Sequence, residues 1–258
     1  AVSRGRKRPP ILALTATAPE AVLDDMVGAL GMRKPNIVNT GVYRSNLEYE
    51  VQRTVNEVQK RERLEQILAS SATPGIVYAA TVKQVEELDT ALQGRGFRIG
   101  KYHGRLPAKT RKETQEQFMA GEIDAMIATN AFGMGIDKPD IRFVIHYAMP
   151  GSLESYYQES GRAGRDGDPA RCVLFYQLED RRTQFYFLAT RRGRKTDPER
   201  AAADRVRFEQ VMAYGQSAGC RWKLLLDYFG EQPDWERCGS CDNCRHPLEE
   251  QIAPPASA

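Results

Sequence analysis

The feature that most constrains this chain is a rhythm: from residue 47 to residue 176, short apolar runs alternate with stretches of helical period. The runs fall near 47–55, at Gly75–Ala79, near 97–102, at Asp124–Thr129, at Phe143–His146 and at Cys172–Tyr176. Helical patterns lie between them near 58–70, 82–94, 107–120 and 152–160. A strand can be joined to a parallel neighbour only by a crossover, which an amphipathic helix supplies. The alternation therefore predicts an α/β fold with a doubly wound parallel sheet. Ligands of such sheets bind outside the carboxyl ends of the strands. The loops after Ala79, Tyr102, Thr129 and His146 are thus where function is expected.

Both flanks depart from that rhythm. Upstream, Ile11-Leu12-Ala13-Leu14-Thr15-Ala16-Thr17-Ala18 reads as an apolar strand, Pro19-Glu20 opens a helix over 19–29, and Ile37-Val38 reads as a short strand. After residue 178 the strand pattern stops, and helical periodicity covers 179–192 and 198–215. Asp197 is placed to cap the second of these, with Pro198 in its first turn. A further helix starts near Cys220, and residues 247–258, with Pro247, Pro254 and Pro255, read as an unfolded tail. No fixed-period repeat is present.

The net charge of +3 excludes little, but its distribution is uneven. Arg4, Arg6, Lys7 and Arg8 form one basic run; Arg191, Arg192, Arg194 and Lys195 form another. Such runs can neutralise phosphates, and equally can be solvated surface. No stretch approaches the ~18 apolar residues of a membrane span, and the N-terminus lacks the apolar core of a secretory signal. Neither membrane insertion nor secretion is expected.

Of the five cysteines, Cys172 stands alone in an apolar run. The others are Cys220 and the cluster Cys238-Gly239-Ser240-Cys241-Asp242-Asn243-Cys244. Cysteines two residues apart place thiolates on one turn, and four thiolates close a tetrahedral zinc site with no position left for water. The expected role is structural, with Cys220, Cys238, Cys241 and Cys244 as ligands. Disulfides or free thiols are the bland alternatives and fit a non-secreted chain less well. His246 could replace one cysteine.

Two longer strings carry more chemistry. Gln158-Glu159-Ser160-Gly161-Arg162-Ala163-Gly164-Arg165-Asp166-Gly167 puts two arginines three apart at a helix end, among glycines that allow close backbone approach. Paired guanidinium groups suit a phosphate chain because they donate fork-like hydrogen bonds and stay charged. The competing reading is a basic turn bonded to nearby carboxylates. The second string is Ala128-Thr129-Asn130-Ala131-Phe132-Gly133-Met134-Gly135-Ile136-Asp137-Lys138-Pro139-Asp140, following an apolar strand. Thr129 falls at the strand end, Gly133 and Gly135 permit a tight loop, and Asp137 could bond a ribose or an arginine across a cleft.

These strings resemble motifs VI and V of superfamily 2 helicases in the form typical of the RecQ family. Leu14-Thr15-Ala16-Thr17-Ala18 resembles motif III, Gly75-Ile76-Val77-Tyr78-Ala79-Ala80-Thr81 resembles motif IV, and the four-cysteine segment resembles the family's zinc subdomain. The resemblance spans residues 11–246. It implies a RecA-like second lobe (36–192) after the end of a first lobe and linker (1–35), and a small helical zinc-binding subdomain (193–246). It makes Arg165 the arginine finger, Arg162 its phosphate-contacting or positioning partner, and Gln158 the link between nucleotide and DNA. Gly133, Gly135 and Asp137 then line the nucleotide side. Thr129, Thr81, Lys83 and His103 are the candidate DNA contacts, with packing or hydrogen bonding an equal alternative for His103. Where the family commonly has a cysteine and a Ser-Arg pair, this chain has Ala79 and Thr81-Val82.

The resemblance further implies ATP and Mg²⁺ as cofactors, single-stranded or forked DNA as partner, 3′ to 5′ movement, and a bacterial nucleoid or nuclear setting. Gly-x-x-x-x-Gly-Lys-[Ser/Thr] and Asp-Glu-x-His strings are absent from these residues. The expectation is therefore a fragment that pairs with its own first lobe and hydrolyses ATP negligibly alone. A non-catalytic binding module derived from a helicase, and an RNA helicase, are the rival readings.

Overall fold

A computed structural model describes residues 9–15, 20–133, 136–181, 184–185, 190–191, 194–195 and 197–247. Helix α1 (Glu20–Leu30) precedes the sheet. The sheet itself is built by β1 (Leu47–Arg53), α2 (Glu57–Ser70), β2 (Gly75–Tyr78), α3 (Val82–Leu92), β3 (Ile99–Tyr102), α4 (Ala108–Met119), β4 (Ala125–Ala128), β5 (Phe143–His146), α5 (Leu153–Ser160) and β6 (Ala170–Tyr176). Strand order is β1-β6-β5-β2-β4-β3, and every pairing is parallel. The doubly wound α/β expectation is met.

Side-chain alternation assigns the two faces. Ile76, Tyr78, Met126, Ala128, Val144, Cys172 and Leu174 point to one core with Phe118 of α4 and Leu153 and Tyr156 of α5. Val77, Ala125, Ile127, Phe143, Ile145, Val173 and Phe175 point to the other, against Leu64 and Ile67 of α2 and Val85, Leu88 and Leu92 of α3. Each fully buried aliphatic or Phe side chain contributes about 1.5–3 kcal/mol relative to exposure, so both layers are held on the sheet. Helix starts are set by side-chain caps: Asn56 accepts from Gln59 N–H (2.9 Å) and Thr81 from Gln84 N–H (3.0 Å). Ser152 caps α5 by accepting from Ser155 N–H (3.2 Å).

Beyond the sheet, β7 (Thr190–Arg191) pairs antiparallel with β8 (Arg194–Lys195). Three helices follow: α6 (Pro198–Gln216), capped by Asp197 as expected, α7 (Arg221–Tyr228) and α8 (Asp242–Arg245). This helical, cysteine-bearing unit packs against the β1 edge of the sheet. Trp222 is fully buried, donates from Nε1 to Leu47 O (2.9 Å) and meets Tyr49 edge-on at 4.9 Å. Asp242 accepts from Val51 N–H at 2.9 Å. An edge strand with unpaired backbone groups invites association; here the helical unit covers it.

Three expectations at the flanks fail. Ile11–Thr15 is not a strand, and Leu12 and Leu14 are over four-fifths exposed; residues 16–19, which carry the rest of that expectation, lie outside the described residues. Ile37-Val38 is also not a strand and is exposed. Neither run has a ladder partner among the described residues, and an unpaired run has no reason to be a strand. The helix expected over 179–192 is helical at 180–181 and 184–185 but gives way to the β7–β8 hairpin. Residues 190–195 read Thr-Arg-Arg-Gly-Arg-Lys and offer no apolar face for a helix to bury. Residues 248–258 of the expected tail lie outside the described residues.

Candidate functional site

Residues 161–168 leave the C-terminus of α5 and turn back toward β6. Arg162 and Arg165 both project from this loop onto the segment that follows β4, so the two strings singled out in the sequence meet in space. Arg162 is half-buried and donates from Nη1 to Gly133 O. Its guanidinium lies so close to Gly133 that a Cβ there would come within 2.6 Å of Nη2, and Gly133 has φ +149°. Glycine is what allows the contact. The same loop is held from β2, where the Tyr78 hydroxyl donates to Phe132 O at 3.1 Å. Burial pushes the Tyr78 hydroxyl pKa up, which keeps it a neutral donor.

Arg165 is held differently. Its Nη1 donates to Asp137 Oδ1 at 2.8 Å and to Ile136 O at 3.3 Å. Its side chain is 37% exposed and that of Asp137 87% exposed. Exposed pairs of this kind are worth about 0–1 kcal/mol, so an anion can displace the carboxylate cheaply. Arg162 is half-buried on a backbone carbonyl, whereas Arg165 sits in an exposed ion pair. Gln158 is exposed on α5, and Gly135 lies outside the described residues.

The other sequence candidates sit at strand ends. Thr129 is buried just after β4; its Oγ1 accepts from Ala131 N–H at 3.4 Å and its N–H donates to Tyr102 O at 3.2 Å. Thr81 spends its hydroxyl on the α3 cap. Lys83 is 84% exposed beside Glu87 at 3.5 Å, so its ammonium is free to reach a phosphate. His103 is 3% exposed, and its Nε2 bonds with Glu86 Oε1 at 2.8 Å. Of the two readings for His103, this geometry fits packing and hydrogen bonding; a buried ring already partnered cannot reach a backbone phosphate without moving.

Sequence reading missed several neighbours. A cleft of about 510 Å³ at the carboxyl ends of β2 and β5 is lined by Asn130, Ser152, Ser155, Gln184, Arg200 and Arg207. His146 forms part of its floor: the ring is 1% exposed, stacks on Tyr78 and bonds through Nε2 to Glu159 Oε2 at 2.8 Å. Arg44 and Asn46, more than a hundred residues upstream, grip the arginine loop through its carbonyl groups. No local pattern announces them, because their partners are visible only once β1 lies beside β6.

The cysteines form a second centre. Sγ atoms of Cys220, Cys238, Cys241 and Cys244 all lie within 4.8 Å of one another, with Cys238 and Cys244 at 3.9 Å. A tetrahedron with Zn–S bonds of about 2.3 Å has edges of about 3.8 Å, so the spacing fits such an ion. Arg221 N–H donates to Cys241 Sγ (3.4 Å) and Cys238 N–H to Cys220 Sγ (3.3 Å), contacts that favour thiolates. Hydrogen bonds among the cysteines hold the Cys238 thiol low while they push those of Cys220 and Cys241 up, so the four sulfurs cannot all be thiolates without a cation between them. The four can hold a metal ion. Cys172, by contrast, is buried in β6, and burial pushes its thiol up to about 12; it is a core residue. No helix among the described residues is long and apolar enough to cross a membrane.

Comparison with known proteins agrees with this geometry. Residues 59–167 match the family model of the helicase conserved C-terminal domain, and residues 178–245 match the model for RecQ zinc-binding. The ATP-dependent DNA helicase RecQ of Bacillus subtilis is 40% identical over 238 residues, which cover 92% of this chain and 39% of that protein. ATP-dependent helicase SGS1 of Saccharomyces cerevisiae is 38% identical over 240 residues, covering 92% of this chain and 16% of that protein. The chain therefore spans well under half the length of these relatives. Among solved structures, a DEAD box protein from Methanococcus jannaschii superposes with a TM-score of 0.51 and 28% identity, covering 67% of this chain and 46% of that one.

Proposed function

Because this chain belongs to the RecQ family, as its helicase C-terminal region with the zinc-binding subdomain, we propose that it forms one wall of an ATP cleft in a DNA helicase. The observation that carries the reading is the contrast between Arg162, pinned to Gly133 O, and Arg165, in an exposed pair with Asp137. In the complete protein, ATP and Mg²⁺ bind against a first RecA-like lobe that contributes the phosphate-cradling loop. Closure of that lobe brings the γ-phosphate to Arg165, which exchanges Asp137 for a phosphate oxygen and stabilises the charge that develops in transfer. Arg162 holds the Gly133 loop in place while this happens. Asp137 receives Arg165 back when the cleft opens.

Lys83, which is exposed, and the cleft-lining arginines of α6, Arg200 and Arg207, take the DNA backbone. Contacts of this kind are insensitive to base sequence and weaken with salt. Cys220, Cys238, Cys241 and Cys244 would hold a Zn²⁺, whose role with four thiolate ligands would be structural. Cyclic closing and opening moves the lobes along one strand, 3′ to 5′.

Arg165→Ala in the full-length protein tests this. ATP should bind nearly as in the parent while DNA-stimulated turnover falls by about 10³-fold or more, the scale of a lost arginine finger. Turnover within a few-fold of the parent would overturn the assignment. These 258 residues on their own should release no phosphate above background with ATP, Mg²⁺ and single-stranded DNA, since they carry only one wall of the cleft.

A further inference from the structure

The loop that carries Arg162 and Arg165 has turns of its own, with Ala163 N–H on Ser160 O and Gly167 N–H on Gly164 O, each 3.0 Å, and is also held from both sides. On one side Gly164 N–H donates to Ile141 O at 2.8 Å and Asp166 N–H to Pro139 O at 3.3 Å. The opposite side is held by a strap, residues 42–46, that runs into β1. Arg44 donates from Nη1 to Gly161 O at 2.8 Å, from Nη2 to Ala163 O at 2.9 Å, and from Nη2 to Gly164 O as well. Asn46 Nδ2 adds bonds to Gly164 O and Asp168 O, each 2.8 Å. Gly161 is the C-cap of α5, so its carbonyl stands at the helix end where a cation is favoured; Gly164 O also accepts from Gly167 N–H at 3.0 Å.

The contact leaves little room. Gly164 has φ +55°, and a Cβ there would meet Asn46 Nδ2 at 2.5 Å and Asp168 O at 2.7 Å. The strap is itself anchored to the cysteine-bearing unit: Tyr43 packs edge-on against Trp222 at 5.0 Å and lies 5.1 Å from Trp235, and Val42 N–H donates to Glu231 Oε1 at 2.8 Å. Tyr157 of α5 closes the circuit by donating to Val42 O at 2.6 Å. One short segment thus touches both the helical unit and the backbone on either side of Arg162.

We propose that Arg44 is a positioning residue for ATP turnover: by gathering the carbonyls of Gly161, Ala163 and Gly164 it fixes where Arg165 stands, and the strap ties that position to the cysteine-bearing unit. The proposal rests on the reading of Arg165 as the finger. Three of the five Arg44 N–H donors go to the loop carbonyls, and the role assigned here involves no phosphate contact. Losing it lets the loop shift without removing either arginine. Small misplacements of a catalytic group lower turnover steeply while leaving ground-state binding nearly intact.

The test is a double-mutant cycle in the full-length protein, with Arg44→Ala, Arg165→Ala and both together. Arg44→Ala should lower kcat by roughly 10- to 100-fold with KM for ATP nearly unchanged. The double variant should be no slower than Arg165→Ala alone, because Arg44 acts through that residue. Arg44→Lys, which keeps the charge with fewer donors, should fall in between, and it carries the cycle if Arg44→Ala does not fold. Parent-like kcat in the Arg44 variants beside a crippled Arg165→Ala would overturn this inference alone. So would losses that multiply in the double variant, which would mean that Arg44 acts on something else. An unaffected Arg165→Ala would instead overturn the finger reading from which the inference starts.

Discussion

A methyl group on Gly133 would come within 2.6 Å of the Arg162 guanidinium, at a backbone angle of φ +149° that side-chain-bearing residues avoid. Gly133→Ala should therefore destabilise the chain by about 1–3 kcal/mol, measured as a drop in the urea midpoint, and dislodge Arg162 from its carbonyl. A second residue-scale expectation concerns acid. Glu86, Asp124 and Asp166 are held below the usual carboxylate range by Lys101, Arg98 and Arg142 respectively. Carboxylates depressed on folding contribute stability that is present above their unfolded values, about 3.9 for Asp and 4.3 for Glu. That stability is lost as pH falls through the lower, folded value. Asp124→Asn removes one such group remote from the cysteines, so its urea midpoint should fall less steeply than the parent's between about pH 5 and about pH 3; parallel slopes would refute the assignment. Residues whose partners are near in sequence, such as the arginines flanked by glycines or the paired cysteines, announce themselves. Arg44 does not, because its three carbonyls lie 117 to 120 residues away.

At the scale of elements, one carboxylate joins the cysteine-bearing unit to β1 alongside the Trp222 contacts with Leu47 and Tyr49. Asp242 accepts from Arg221 Nε at 2.9 Å and Nη2 at 3.0 Å, and from Val51 N–H. Arg221 is 3% exposed. Asp242→Ala would leave the buried Arg221 guanidinium without its carboxylate, a loss of about 3–5 kcal/mol, and Val51 N–H without its acceptor; thermal melting of the 258-residue chain should show a lowered midpoint, and an unchanged one would refute this. The buried strands of the sheet were legible because apolar runs and amphipathic helices differ in period. Ile37-Val38 and Ile11–Thr15 show the limit of that logic: an apolar run becomes a strand only where a neighbour offers a ladder, and sequence alone does not supply the neighbour. The β7–β8 hairpin was missed for a related reason, since helical periodicity carried past its apolar residues into Thr190–Lys195, where nothing remains to bury.

The whole molecule joins two units that should respond separately to chelation. Both tryptophans, Trp222 and Trp235, lie in the cysteine-bearing unit, and Trp222 is fully buried. Stripping the metal with a strong chelator should red-shift tryptophan emission while the far-ultraviolet signal of the sheet largely persists, because zinc-binding energy is folding energy for the unit that holds it. One Zn²⁺ per chain before treatment and none after is the accompanying expectation. Arg165, however, is paired with Asp137 here and is assigned to the γ-phosphate in the closed protein. The most direct test is a structure of the full-length protein with a non-hydrolysable ATP analogue, Mg²⁺ and single-stranded DNA. The Arg165–Asp137 pair should be broken, Arg165 should lie within hydrogen-bond reach of a γ-phosphate oxygen, and Arg162 should remain on Gly133 O, if the assignment of Arg165 is right. A closed, nucleotide-filled cleft with Arg165 still bound to Asp137 and turned from the phosphates would contradict it.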